Sequence, residues 1–251
     1  MRIAYDIIGS KEKSVALLGV NVENPEKIAE EIMKRHKAIK SVLQKLSERT
    51  DVFRLYPCKL LAGDKNTEVI HKEYNYFIKV DPQKAYFSPR EGTERQRIAE
   101  MVKPGESILV MFSGVCPYPI AIAKKQTIVS KIYAVEINPD AHRYALENVK
   151  LNRLERKIEP ILGDVRKISL GKFDRIIMPL VEKAIEFLDV AFSNSKKGTI
   201  IHLYGLSNAD LDEKVKEISK ANNVKYEIVK KQKVLPYAPR IDKVRLDIKI
   251  L

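Results

Sequence analysis

Ser107–Asp164 is the stretch that decides the fold: SILVMFSGVCPYPIAIAKK (107–125), KIYAVEINPDAHRYALENVKLN (131–152) and IEPILGD (158–164). Ser107 to Ser113 is an apolar run bounded by turn signals, as a strand buried on both faces requires. Gly114 and Pro117 mark a turn, and Pro117 to Lys125 has the apolar spacing of a short helix. Ile132 to Ile137 is a second apolar run with one acidic residue, Glu136, near its carboxyl end. Asn138-Pro139 supplies an N-cap and a first-turn proline for a helix to about Leu151. A third strand, Ile158 to Leu162, ends in Gly163-Asp164. Strand, glycine turn, helix, and a strand with a terminal carboxylate make a βαβ nucleotide-binding unit. Its glycine lets backbone N–H groups approach a ligand, and its carboxylate accepts from ribose hydroxyls.

The blander alternative is an α/β domain that binds nothing at this point. A dinucleotide dehydrogenase is disfavoured because no G-x-G-x-x-G is present. The spacing instead resembles the S-adenosylmethionine site of class I methyltransferases. That resemblance places the Ser113–Pro117 loop against the methionine part, Glu136 on the ribose and Asp164 on the adenine amino group.

A chain of 251 residues, 45% hydrophobic and 31% charged, allows one large domain or two modest ones with a real core. No stretch approaches the length of a membrane span, and MRIAYDIIGS is a mixed strand pattern rather than a signal peptide. Cys58 and Cys116 are too few for a disulfide framework or a cysteine-rich zinc site, which points to a reducing cytoplasm. His36, His71, His142 and His202 are scattered without metal spacing, so no metal is expected and the four read as structural or surface groups. The net charge of +13, most of it after residue 100, suggests a polyanionic partner. A lysine-rich proteome, such as a thermophile's, with solvated faces explains the charge equally well.

Along the rest of the chain, Arg2–Ile8 and Ser14–Val20 read as a hairpin. Asn24-Pro25 opens a helix to about Arg35, and His36–Lys45 continues a helical face. Residues 50–63 and 67–80 read as strands joined by Gly63-Asp64-Lys65-Asn66. Pro82 and Pro89 interrupt structure before a helix over Thr93–Val102. Beyond Asp164 the pattern predicts a strand over Phe173–Leu180, a helix across Glu182–Phe192, a strand over Thr199–Tyr204 and a polar helix over Asn208–Lys220. Two closing strands, Lys225–Leu235 and Lys243–Ile250, are joined through Pro236-Tyr237-Ala238-Pro239.

The pieces YDIIG (5–9), LAGDKNTEVIHKEY (61–74), KVDPQKAYFSPREGTER (79–95), VEINPDAHRYALENVKLNRLE (135–155), ILGDVRK (161–167), IIHLYG (200–205) and LPYAPR (235–240) run in order over almost the whole chain. Together they resemble the archaeal tRNA (guanine-N1)-methyltransferases that modify the guanosine 3′ of the anticodon. The related aminocarboxypropyltransferases of wybutosine synthesis share the architecture, and DVR and YAPR look more like the methyltransferase branch.

The resemblance implies an α/β fold: a smaller α+β RNA-recognition domain over residues 1–90 and a Rossmann-like S-adenosylmethionine-binding domain over 91–251. The expected partner is the anticodon region of tRNA, and the expected protein is a cytoplasmic monomer without a membrane contact. Glu94 matches the family's general base, Arg54 the group that stabilises charge on O6, and Tyr86 the base-contacting aromatic. Arg95, Phe112, Ser113, Gly114, Val115, Pro117, Glu136, Ile137, Asp164 and Val165 match the cofactor site. The plain structural alternatives are a solvated Glu94–Arg95 helix pair, a phosphate contact for Arg54 and core packing for Tyr86.

Three departures qualify the match. Val110 and Cys116 stand where the family has aspartate and a second glycine, and a side chain at Cys116 costs backbone strain. Pro179 stands where the family has asparagine and lacks an amide to hold the target base. The chain also begins at the family's middle domain. These changes motivate two alternatives: aminocarboxypropyl transfer, and a paralogue that binds tRNA without catalysis.

Overall fold

The computed structural model describes residues 4–47, 49 and 52–251, in two compact units. The first comprises the chain up to Gly92 with Gly114–Pro117 and Asn138–Arg153; the second comprises Thr93–Ser113, Tyr118–Ile137 and Leu154–Leu251.

In the first unit β1 (Tyr5–Gly9) and β2 (Ser14–Leu18) form the expected antiparallel hairpin. Helix α1 (Pro25–Arg35) follows, with Asn24 at its N-cap in the left-handed region and making no side-chain cap bond. Pro25 at the first helical position therefore starts this helix without the cap. Residues 39–45 are not a helical continuation but strand β3 (Ile39–Lys45), parallel to β2. Ile39, Val42 and Leu43 are buried there, and β-branched residues beside a ready-made edge favour the ladder over a helix with little propensity of its own. Of the strand expected over 50–63, residues 50 and 51 lie outside the described residues, 52–54 is a turn, and Cys58–Gly63 forms β4, antiparallel to β3. Ala16, Leu18, Ala29, Ile32, Ile39 and Val42 close the core between this sheet and α1.

Residues 67–80 are not one strand but the hairpin of β5 (Val69–Glu73) and β6 (Tyr76–Val80), turned at Tyr74-Asn75 with Tyr74 at φ 47°. The free edge of β6 is covered by α4 (Pro139–Leu151) through two asparagines, one at the helix C-cap. Asn152 accepts from Phe77 N–H at 3.0 Å and donates to Phe77 C=O. One turn earlier, Asn148 accepts from Lys79 N–H and donates to Lys79 C=O and Val115 C=O at 2.9 and 3.0 Å. Spacing i, i+4 on a helix thus matches alternate residues of a strand.

The second unit is built on a seven-stranded sheet ordered β12-β13-β11-β10-β7-β8-β9. Its strands are β7 (Ser107–Met111), β8 (Lys131–Glu136), β9 (Ile158–Leu162), β10 (Phe173–Met178), β11 (Ser195–Leu206), β12 (Tyr226–Ala238) and β13 (Ile241–Ile250). β9, β8, β7, β10 and β11 run parallel, and β13 is antiparallel to both neighbours. This is the sheet of the class I methyltransferase fold, with the strand order reversing outward from β7.

Helices α2 (Gly92–Met101), α3 (Pro117–Lys125), α5 (Leu188–Ser193) and α6 (Leu211–Ala221) complete the elements. The helix expected over 182–192 is split into a 3₁₀ turn, Ala184–Phe187, and the short α5. β12 continues through Pro236 to Ala238, so the closing hairpin turns at Pro239-Arg240. No helix among the described residues is long and apolar enough to cross a membrane.

Candidate active site

The carboxyl ends of β7, β8 and β9 lie side by side in the second unit, set by their parallel register. The chain leaving β7 spends three of five residues in the left-handed region: Phe112 at φ 54°, Gly114 at 55° and Cys116 at 67°. Only the glycine adopts it freely; Phe112 and Cys116 each cost on the order of 1–2 kcal/mol. The strain expected at Cys116 is therefore present, and the buried thiol is held by its surroundings. The Phe112 ring is fixed edge-on against Phe187, 4.8 Å between centroids.

Ser113 donates its N–H to Val135 C=O at 2.9 Å, tying the loop to β8. Its side-chain oxygen is buried and has no hydrogen-bond partner among the described residues. Glu136 ends β8 at 9% exposure, and its carbonyl accepts from Gly163 N–H at 2.8 Å, which joins two strand ends. Ile137 beside it is an exposed apolar side chain. Gly114 needs its glycine for φ rather than for room, since an added Cβ would meet only Tyr86 C=O, at 3.7 Å. A buried orphan hydroxyl, a strand-end carboxylate and an open apolar face fit an adenosyl group with a polar amino-acid tail.

Asp164 follows Gly163 just beyond the end of β9. It caps the 3₁₀ turn Val165–Lys167 and accepts from Arg166 N–H at 3.0 Å. It also receives the Arg166 guanidinium from Nε at 3.0 Å and from Nη2 at 2.6 Å. The hydrogen bond from Arg166 holds the Asp164 carboxyl below the usual aspartate range despite some desolvation. A nucleobase amino group at Asp164 must compete with Arg166. The Val165 side chain lies in the hydrophobic core of the second unit.

Glu94 and Arg95 are both buried at 2% exposure, which removes the reading of a solvated helix pair. Glu94 Oε1 accepts from the Tyr204 hydroxyl at 2.7 Å and from Arg245 Nη1, and Oε2 accepts from Arg97 Nη1. Tyr204 and Arg245 went unnoticed in the sequence. The available signal was the alternation of Lys243, Arg245 and Asp247 through an otherwise apolar strand.

In the first unit Tyr86 is half-buried, and burial pushes its phenol well above the ordinary range. Arg49, also missed, stacks 4.5 Å from the centre of the Tyr86 ring and donates to its hydroxyl at 3.3 Å. Arg54 lies in the 52–54 turn with φ 57°. Pro179 directly follows β10. No group of His, Cys, Asp and Glu placed to hold a metal occurs among the described residues.

The chain matches the TRM5/TYW2 methyltransferase domain over residues 69–229. It is 39% identical, over 99% of its length and 71% of the relative's, to the tRNA (guanine(37)-N(1))-methyltransferase Trm5b of Methanocaldococcus jannaschii. It is 34% identical, over 99% of its length and 98% of the relative's, to the tRNA(Phe) (4-demethylwyosine(37)-C(7)) aminocarboxypropyltransferase of the same organism. Against the solved complex of aTrm5 with tRNALeu the TM-score is 0.87 at 37% identity, covering 100% of this chain and 73% of that one. A seven-stranded sheet of this order, its three adjoining strand ends, and sequence identity at this level over the whole chain lead to one conclusion: the chain belongs to the TRM5/TYW2 methyltransferase domain family.

Proposed function

We propose that the protein methylates N1 of the guanosine 3′ of the tRNA anticodon, with S-adenosylmethionine as methyl donor. The observation that carries this reading is Glu94: a carboxylate buried near the start of α2, with both oxygens hydrogen-bonded, in the unit that also holds Ser113 and Glu136. The named activity of the 39%-identical relative supports the same reading. In our assignment residues 1–90 form the RNA-recognition domain, and the protein acts as a cytoplasmic monomer on the anticodon region.

S-adenosylmethionine supplies an electrophilic methyl carbon on a sulfonium. Phe112, Ser113, Gly114, Val115 and Pro117 would hold its methionine part, Glu136 its ribose, and Ile137 with Asp164 and the Val165 backbone its adenine; Arg95 supports the site. Guanine N1 carries a proton and becomes nucleophilic only as that proton leaves. Glu94 takes it, and the N1–H electron pair becomes available for the new bond to carbon. Arg54 stabilises the negative charge that grows on O6, and Tyr86 contacts the base.

One observation favours a second reading. Pro179 follows β10 at the place of the family's asparagine, and without an amide it offers the base only shape and a carbonyl. Aminocarboxypropyl transfer is the corresponding alternative. Incubation of a guanosine-37 tRNA, and in parallel of a tRNA carrying the tricyclic guanine of wybutosine synthesis, with cofactor labelled separately in the methyl and carboxypropyl carbons tests both. Methyl label at N1 is the expected result. Carboxypropyl label alone establishes the second reading, and label from neither, with cofactor and tRNA bound, leaves a tRNA-binding protein without this chemistry.

A further inference from the structure

The antiparallel register of β11 and β13 sets Tyr204 opposite Arg245 and His202 opposite Asp247. Because side chains alternate along a strand, all four stand on one face of the sheet. Leu203, Leu246 and Ile248 point the other way into the apolar core. The result is a buried polar block on a face whose positions ordinarily carry apolar residues.

Its connections run in one direction. Arg97 and Arg245 flank Glu94. Arg245 forks onto Asp247, Nε to Oδ1 at 2.7 Å and Nη2 to Oδ2 at 3.0 Å. Asp247 Oδ1 lies 2.6 Å from His202 Nδ1, and Arg175 Nη1 lies 2.6 Å from His202 Nε2. Since an arginine can only donate, His202 Nε2 must accept; the ring is neutral with its proton on Nδ1, given to Asp247. Burial lowers the His202 pKa, in agreement with that tautomer. Arg175 ends the chain in a two-pronged pair with Glu106, 2.7 and 2.9 Å.

With His202 neutral, Arg97, Arg245 and Arg175 face Glu94, Asp247 and Glu106, so the network is close to neutral. A buried ion network of this kind adds little stability over a well-packed apolar core of the same volume. What it does supply is direction. Glu94 has three donors on two oxygens, and an ionised carboxylate has about four acceptor positions. By that count one acceptor position, on Oε2, is left unfilled by the described residues while the three donors fix the plane of the carboxylate.

We propose that Tyr204, Arg245 and Arg97 are positioning residues that aim the open acceptor position of Glu94, with the Asp247–His202 pair holding Arg245 in its turn. The inference rests on the reading of Glu94 as the proton acceptor. It adds that the rate depends on donors in β11, β13 and α2 that touch neither tRNA nor cofactor. In the step they serve, the N1–H bond breaks, the proton goes to Glu94 Oε2, and the freed pair forms the N1–carbon bond as the carbon–sulfur pair departs with sulfur.

Tyr204→Phe tests this with the least disturbance, because it keeps the ring beside Tyr118 and under Lys243 and removes only the hydroxyl. Arg97→Met removes the donor on the other oxygen from a partly exposed position and serves if the first variant is poorly folded. Single-turnover methylation at saturating tRNA and cofactor is expected to fall roughly five- to twenty-fold in each. Dissociation constants for tRNA and S-adenosylhomocysteine should stay within about two-fold of the parent, the size of weak surface effects. Without any turnover, the carboxyl carbon-13 signal of Glu94, identified by its loss in Glu94→Gln, should shift in both variants. In the Glu94→Gln background, adding Tyr204→Phe should cost nothing further, as for residues acting as one unit.

Equal losses in both backgrounds would show a general structural effect and overturn the proposal. An unchanged rate in both Tyr204→Phe and Arg97→Met, with Glu94→Gln strongly impaired, would overturn the proposal and leave the function intact. A Glu94→Gln variant as fast as the parent would remove the Glu94 assignment itself, and the proposal with it.

Discussion

A hydroxyl buried without a partner lowers stability unless something else uses it, and Ser113 carries one. Ser113→Ala should leave the melting temperature of the ligand-free protein unchanged or slightly higher. It should also weaken S-adenosylhomocysteine by about 1 kcal/mol, the worth of one hydrogen bond. Calorimetry and thermal unfolding of the two proteins check both parts, and an unchanged affinity would remove Ser113 from the cofactor site. Asp247 makes a second prediction at this scale. Burial alone would raise its carboxyl, but the hydrogen bonds from His202 and Arg245 outweigh it and hold the group at about 2. A folded value below the unfolded one, near 4, means stability present above about pH 4 and lost as pH falls toward 2, worth ~2 kcal/mol. Denaturant unfolding between pH 6 and pH 2.5 should show this slope in the parent and a flatter one in Asp247→Asn. The same slope in both would mean that other carboxylates carry the acid sensitivity.

At the scale of elements, α4 shows how little helix propensity says about what a helix touches. Its start was readable: Asn138 accepts from Asp140 and Ala141 N–H, as the Asn-Pro pair implied. Its partner was not, because two asparagines at i, i+4 look like ordinary polar surface until a strand edge is placed beside them. Asn148→Ala leaves Lys79 N–H and C=O and Val115 C=O without their bonds, and should cost about 2–4 kcal/mol. Asn148→Asp keeps the size and the acceptors but cannot donate, so it should not recover the loss. Recovery by Asp, measured by denaturant unfolding, would mean that the two donated bonds contribute little. The β5–β6 hairpin eluded the sequence for a related reason: Tyr74-Asn75 is a weak turn signal, and the turn forces a tyrosine to positive φ.

For the whole molecule the net charge of +13 predicts electrostatic RNA binding. Part of it is neutralised locally: Lys231 pairs with Asp212, and Lys233 with Asp242. Exposed pairs of this type are worth little and yield readily to phosphate. Affinity for tRNA should therefore fall steeply between about 50 and 200 mM salt, by roughly 10³-fold if some six phosphates are neutralised. Filter binding across that range measures it, and a flat dependence would reduce the charge to solubilising surface.

Apolar runs, their turn signals and the Asn-Pro cap were enough, from sequence alone, to set out the strand–helix alternation of residues 107–164 and the class of its sheet. Those features are local, and each residue's preference there agrees with the fold. The sequence also located the strand ends where Ser113, Glu136 and Asp164 sit, since βα junctions follow from the order of elements. Tertiary structure alone decided what those residues meet. Arg166 folds back onto Asp164, Val165 turns into the core, and residues 39–45 become a strand because β2 offers an edge. It alone brought Tyr204 and Arg245 to Glu94, separations of 110 and 151 residues along the chain. Contacts at such distances depend on strand register, and register is fixed by the packing of the whole sheet rather than by any local pattern.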